Sequence, residues 1–498
     1  MFCWIFPVVP SKVSSVFWVP GRLTPYVCTD FQQTVKLYRQ RPSPSSAATS
    51  TGYEKEQGTE HTGLYDGRVK VNGPPRSAPP IELYHPAFGQ FRHGLQSTAP
   101  IPKDLLQLVA EFLRKLSVLR HFEDHRGRDI RSILNDLLST SLVRLVNWDR
   151  SVANAVSKCN TPANQTACPV IVEWKSEPGA GGSDPSVQVS FSHCKIYVSP
   201  EREKVLQASS CPSFLISIAG PWLLVSGAVF AGKPIIQRLT SYEWLGRARV
   251  NDPRQVSEIA RIFLAIREPL AALQSYYANL VIPSVPRPNC MHPRFFPHIT
   301  SYPVGAGAKD DVQFAYVCPL QDSVACVAFE AVLLDTNERV VVKFVAKYGE
   351  STHRYMADRH MAPALRYFGL LDPHSDHTYA GLSMAVMDKL AGATLHDRYA
   401  DSPIPDDVER EVEAAAQELK NGGFVHGDLR PPNIVILDSP VHGSRVRLID
   451  FDWAREVGKV QCPCDLTSAV MRPTGASDYD MVTVKHMYLL VKAMLRKP

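Results

Sequence analysis

Two runs, HGDLRPPNIVIL (426–437) and RVRLIDFDWA (445–454), constrain this chain more than any other stretch. NIVILD and RVRLID read as short strands, and the intervening SPVHGS as their turn, so together they predict a small hairpin. Asp428, Asn433 and Asp450 then fall at strand ends, on loops converging on one edge of that hairpin. Two carboxylates and an amide are oxygen ligands suited to a hard cation such as Mg2+, which takes few protein ligands and completes its shell with phosphate oxygens and water. An Asp close to a transferred phosphate also orients or deprotonates a hydroxyl. The plain alternative is three exposed turn residues after a helix.

The flanking sequence predicts what surrounds the hairpin. PDDVEREVEAAAQELKNGG (405–423) opens on Pro and acids, repeats Val408, Val412, Ala415 and Leu419 on one face, and closes on Gly-Gly, so it reads as a helix that ends just before the first run. Further upstream, FAYVCPL (314–320), VAFEAVLL (327–334) and RVVVKFV (339–345) read as three successive strands, with DTN (335–337) as the tight turn between the last two. Lys343 interrupts the third strand. A charge there needs a partner or a cleft, because an unpaired buried ammonium is costly; otherwise it points to solvent from an edge strand.

Lys on a third strand, then H-x-D-x-x-x-x-N, then D-F-x resembles the protein kinase signature, here Lys343, His426 to Asn433, and Asp450-Phe451-Asp452. The resemblance covers 300–498 and implies an α+β, bilobal protein kinase-like domain using ATP and Mg2+. It assigns Lys343 to the ATP phosphates, Asp428 to the catalytic base, Arg430 to charge neutralisation beside it, and Asn433 and Asp450 to magnesium. LSMAVMDKLAGATL (382–395) resembles the hinge strand, with backbone near Met387 and Asp388 available for adenine. Glu350 is the nearest candidate partner for Lys343.

Several positions depart from the pattern. QDSVAC (321–326) stands where a glycine-rich phosphate loop belongs, and GAGAKD (305–310) precedes the first strand. Gly427 replaces the Arg that reads an activation-loop phosphate, Asp452 replaces the Gly of D-F-G, and only 48 residues follow Asp450. These departures, with HGDLRxxNI and IDFDWA, resemble an atypical kinase-like family widespread in fungi. The implied function is transfer of the γ-phosphate of ATP to a protein Ser/Thr hydroxyl. The alternative is a pseudokinase that binds nucleotide or partners without catalysis.

The preceding chain reads as a separate α/β domain over 61–285, joined by a Pro-rich linker over 286–299. IPKDLLQLVAEFLRKLSVL and VSEIARIFLAIREPLAALQSYYANL show helical spacing, the second with a kink expected at Pro269. FLISIAGPWLLVSGAVF (214–230) is broken by Gly220-Pro221 and predicts two buried strands, not a membrane span. PVIVEWK places Glu173 and Lys175 two apart at a strand end, on one side. This E-x-K is similar to the restriction-endonuclease-like core, with Gln188 on the next helix and Asp149 or Asp136 as candidate upstream acids; some Crinkler-type effectors join such a domain to a kinase-like one. Nucleic acid is therefore expected as a partner only through this domain, and metal binding at Glu173 is the nuclease reading.

Residues 1–60 combine an interrupted apolar start with a stretch rich in Ser, Thr, Pro and Gly, which predicts disorder. A net charge of +5 on 498 residues gives no strong drive toward nucleic acid or membrane surfaces. Eleven scattered cysteines suit a reducing compartment, so the expected location is intracellular, in cytoplasm or nucleus; the effector resemblance leaves secretion open.

Overall fold

The structure, a computed structural model, describes residues 23–119, 123–250, 252–282, 291–304, 311–373, 379–462 and 476–495. These fall in two compact units, one within 21–299 plus 374–380, the other within 300–373 plus 381–498. Helices and sheets alternate in both, an α+β organisation. No helix among the described residues is long and apolar enough to cross a membrane.

In the first unit, residues 23–60 depart from the expectation of disorder. They contain α1 (Leu23–Arg39) and α2 (Ser50–Gln57), the latter capped by the Thr49 side chain, which accepts from the Gly52 N–H. Large aliphatics are scarce here, and rings with satisfied polar atoms do the burying instead. Tyr38 is buried with its hydroxyl donating to Thr62 O at 2.9 Å, and buried Gln57 donates from Nε2 to Leu64 O at 3.1 Å. The apolar segment read at 1–20 lies outside the described residues.

α3 (Lys103–Leu116) and α4 (Glu123–Leu138) lead into a sheet of β1 (Leu142–Val146), β2 (Val152–Ser157), β3 (Val170–Lys175), β4 (Ser213–Ala219), β5 (Trp222–Phe230) and β6 (Pro234–Arg238). These strands lie side by side in chain order, with Glu243–Trp244 also paired to β5. β3 and β4 are parallel while β4 and β5 are antiparallel. A parallel pair requires a crossover, and α5 (Pro185–Tyr197) supplies it, started by Asp184 as cap and Pro185 at its first turn. The 214–230 run thus forms two strands turning at Gly220, as its sequence predicts. α6 (Pro253–Ala278) continues through Pro269. Residues 291–299 are not a bare linker: Pro293–Phe295 forms a 3-10 turn, and buried Arg294 donates to Ala231 O at 3.0 Å, while 283–290 lie outside the described residues.

The second unit opens with β7 (Ser301–Pro303), β8 (Asp311–Pro319), β9 (Ala328–Leu333) and β10 (Arg339–Val345), continues through α7 (Glu350–Ala357) and β11 (Leu365–Leu370), and returns in β12 (Ser383–Asp388). The six strands form one sheet in the order β7-β8-β9-β10-β12-β11. β10 is therefore interior. α8 (Asp406–Asn421) follows, with Asp406, Asp407 and Glu409 in its first turn, where negative charge complements the helix dipole. Its buried stripe of Val408, Val412, Ala415 and Leu419 packs with Met387, Leu429, Ile434, Ile436 and Phe451. The hairpin of β13 (Ile434–Val441) and β14 (Ser444–Leu448) pairs Ile434 with Leu448, and Gly392–Thr394 joins its outer side. α9 (Val484–Leu495) adds Met487 and Val491 to the same core.

Candidate active site

The hairpin register builds the site. With Ile434 opposite Leu448, Asn433 stands beside Ile449, whose N–H donates to Asn433 O at 3.0 Å, and Asp450 is the next residue. Asp450 adopts φ 67° and ψ 63°, a left-handed conformation uncommon outside glycine. Phe451–Trp453 then forms a 3-10 turn. In an extended strand Asp450 and Asp452 would share a face two residues apart; here the left-handed residue and the turn swing both carboxylates onto one cation. Lys343 Nζ donates to Asp450 Oδ1 and to Asp452 Oδ1, each at 2.6 Å. Lys343 thus does not point to solvent from an edge strand: it is ion-paired and leaves an interior strand.

Burial alone would lower the pKa of the Lys343 ammonium, but the two carboxylates outweigh it and raise the pKa above its ordinary value. Burial would raise Asp450, and the Lys343 charge beside it wins, holding that carboxyl below its usual range. Asp452 goes the other way. Burial, reinforced by the neighbouring Asp450 charge against the pull of Lys343, pushes it up to about 7.

The loop before the hairpin is organised around Asp428. Arg430 Nε donates to Asp428 Oδ2 at 2.8 Å, and Asn433 Nδ2 donates to Asp428 O at 2.8 Å and Oδ2 at 2.9 Å. Pro431 and Pro432 fix φ through the short turn that delivers Asn433. Gly427 has a physical reason to replace a larger residue: its φ is 81°, and a Cβ there would stand 2.4 Å from Trp453 O. His426 is buried, with Nε2 against Ile449 O at 3.0 Å, and burial lowers its pKa from the ordinary value. The Phe451 ring stacks on His353 of α7, centroids 4.4 Å apart at 6°, and lies 5.1 Å from His426.

The remaining predicted residues divide. Glu350 is not the partner of Lys343. It begins α7 and accepts from Arg354 Nε at 2.9 Å, one helical turn on, while Asp450 and Asp452 take the lysine. Met387 and Asp388 end β12, but the Asp388 N–H donates to Ala364 O at 3.0 Å, so that amide is engaged within the fold and not open to a base. The chemical character of Asp450 and Asn433 fits Mg2+: both are hard oxygen donors, and the Asn433 amide turns its nitrogen to Asp428 and its carbonyl oxygen away. Asp452 is the residue that the kinase pattern obscured. The D-x-D spacing in IDFDWA was its only signal. GAGAKD lies outside the described residues.

In the first unit, Glu173 is 0% exposed. Gln188 Nε2 donates to its Oε2 at 3.1 Å and Ser192 Oγ to its Oε1 at 2.7 Å. Gln188 thus reaches Glu173 as its position on the following helix suggested. The candidate acids do not complete a metal site. Asp149 is paired with Lys195 at 2.7 Å, and Asp136 lines a cleft with Asp104 and Arg267. No group of three or more His, Cys, Asp or Glu among the described residues could hold a metal ion, and Glu173 stands as a buried carboxylate that accepts from Gln188 and Ser192.

No family profile matches the chain. Over 65 residues, 13% of the chain, it is 38% identical to homeodomain-interacting protein kinase 2 of Mesocricetus auratus and of Mus musculus, and 37% identical to homeodomain-interacting protein kinase 1 of Mus musculus. The matched stretch covers 6% of the hamster protein and 5% of the mouse proteins, so the chain spans a small part of these relatives' length. Among solved structures, the Cydia pomonella granulovirus kinase, PK-1, aligns with a TM-score of 0.29 and 16% identity, covering 36% of this chain and 68% of that one. The local identity to protein kinases supports a kinase-like fold for part of the chain.

Proposed function

We propose that residues 300–498 form an ATP-dependent phosphotransferase of the protein kinase-like class, which moves the γ-phosphate to a protein Ser/Thr hydroxyl. One observation carries the reading: Lys343, from an interior strand, meets Asp450 and Asp452 at the end of the hairpin whose other strand begins just after Asn433, which itself holds Asp428. Bound Mg2+–ATP supplies the transferable phosphoryl group and the cation that offsets its charge. Asn433 and Asp450 would hold that cation. Lys343 offers its ammonium to phosphate oxygens. The Asp428 carboxylate, held in place by Arg430 and Asn433, accepts the proton of the acceptor hydroxyl as its oxygen bonds to the γ-phosphorus and the bond from that phosphorus to the bridging oxygen breaks, releasing ADP.

Two substitutions separate these roles. Asp450→Asn removes the anionic ligand that compensates dehydration of the cation, so Mg2+-dependent nucleotide binding falls while metal-free binding changes little. Asp428→Asn leaves nucleotide affinity intact and lowers transfer by roughly 10²–10⁴-fold, the range for a lost general base. Calorimetry with and without Mg2+, beside a radiolabelled transfer assay, reads both. Equal loss of affinity in the two variants would contradict the assignment. The glycine-free QDSVAC segment favours the second reading, a non-catalytic nucleotide-binding module, and absence of transfer by the wild type with intact Mg2+–ATP binding would select it.

A further inference from the structure

The face of the sheet that carries Lys343 holds a second buried charge, which phosphate transfer does not use. Alternate residues of a strand share a face, and paired residues line up in rows across strands. Ala328, Lys343 and Ala385 form one row. The next, about 7 Å along by strand rise, is Cys318, Glu330, Val341 and Met387. Beyond it Arg339 lies opposite Val332, and the Lys389 N–H donates to Arg339 O at 3.2 Å.

Glu330 is the one charged residue in its row. Val341 and Lys343 on this face are half-buried, yet Glu330 is 1% exposed. Arg339, itself 55% exposed at the side chain, covers it, with Nη1 donating to Glu330 Oε1 at 2.6 Å. A buried carboxylate persists only where it is paired, and stripping its partner is expensive. Lys389 stands in the same field: burial lowers its pKa and Glu330 opposes the shift.

This arrangement bears on the proposed nucleotide site, and the inference rests on that reading. If phosphates sit at Lys343 and the base reaches toward the end of β12, the ring must lie against the row of Glu330, Val341 and Met387. An aromatic face carries negative charge, so a purine stacked there lies over the Glu330–Arg339 pair and must disturb the contact that covers the carboxylate. We infer that Glu330, held by Arg339, is the specificity-determining residue of this cleft, and that it disfavours purine stacking, so that the Mg2+–polyphosphate end of a nucleotide dominates binding.

The test compares ATP with inorganic tripolyphosphate, both with Mg2+, by calorimetry on the full chain. Glu330→Val is expected to tighten ATP about tenfold, the effect of removing one unfavourable charge contact, and to leave tripolyphosphate unchanged. Glu330→Gln, which keeps the shape and loses the charge, gives a smaller gain in the same direction and serves if the Val variant fails to fold. Arg339→Ala uncovers the carboxylate and weakens ATP further. Unchanged or weaker ATP binding in the folded Val and Gln variants, with tripolyphosphate still bound in an Asp450-dependent way, overturns the role of Glu330 and leaves the phosphotransferase reading standing. If wild type binds no tripolyphosphate through Asp450, both fall together.

Discussion

Asp452 differs from Asp450 in what its surroundings do to its proton. Its pKa is raised to about 7, against an unfolded value near 3.9. Between those values the folded chain holds a proton that the unfolded chain has lost, so this group's stabilisation is fully present below about pH 4 and disappears as the pH rises through about 7. Asp452→Asn has no such proton to lose. The variant is therefore expected to gain stability relative to wild type as the pH is raised from about 4 to about 7, read as the difference in urea midpoint; a constant difference across that window would rule the shift out. The pairing itself was not legible in the sequence. A kinase template assigns that position to glycine, and only the left-handed backbone at Asp450 turns the two acids onto one lysine. The Glu350 expectation failed for a related reason, because proximity in sequence to Lys343 says nothing of which way a helix start faces.

Helix α7 and the turn after Asp450 behave as one piece. The Gly349 N–H, just before α7, donates to Phe451 O at 2.8 Å, and a Cβ on Gly349 would stand 2.0 Å from Ala454 O. That contact is with backbone, which cannot swing aside. Gly349→Ala is expected to cost about 1–3 kcal/mol, as overpacking does, and to lower Mg2+-dependent nucleotide affinity by displacing Asp450. Denaturant unfolding and calorimetry check the two effects; a variant with normal stability and affinity would show that the turn is free of the helix. Elements with strong periodicity were readable, as α8 shows: its acidic start, its i, i+4 apolar stripe and its closing glycines each have a local physical cause. α1 and α2 were not, because buried tyrosines and a buried Gln57 carry no apolar period that could be told from a polar linker.

At the scale of the whole molecule, each unit has its own core, one containing Ile171 and Leu215 and the other Leu419 and Phe451. Leu419→Ala and Ile171→Ala each remove a fully buried side chain, at a cost of about 2–5 kcal/mol. Calorimetry is expected to show two transitions, with each substitution lowering a different one; a single transition lowered by both would show that the units melt together. The long separation of the Lys343–Asp450 contact has a further consequence, for folding. The two residues are 107 positions apart, and closing a loop of that length costs about 4 kcal/mol of chain entropy. Contacts of such high sequence separation come late, after local hairpins and helices have formed. A chain emerging from the ribosome therefore carries Lys343 through more than a hundred residues of synthesis before the carboxylates that complete its site exist.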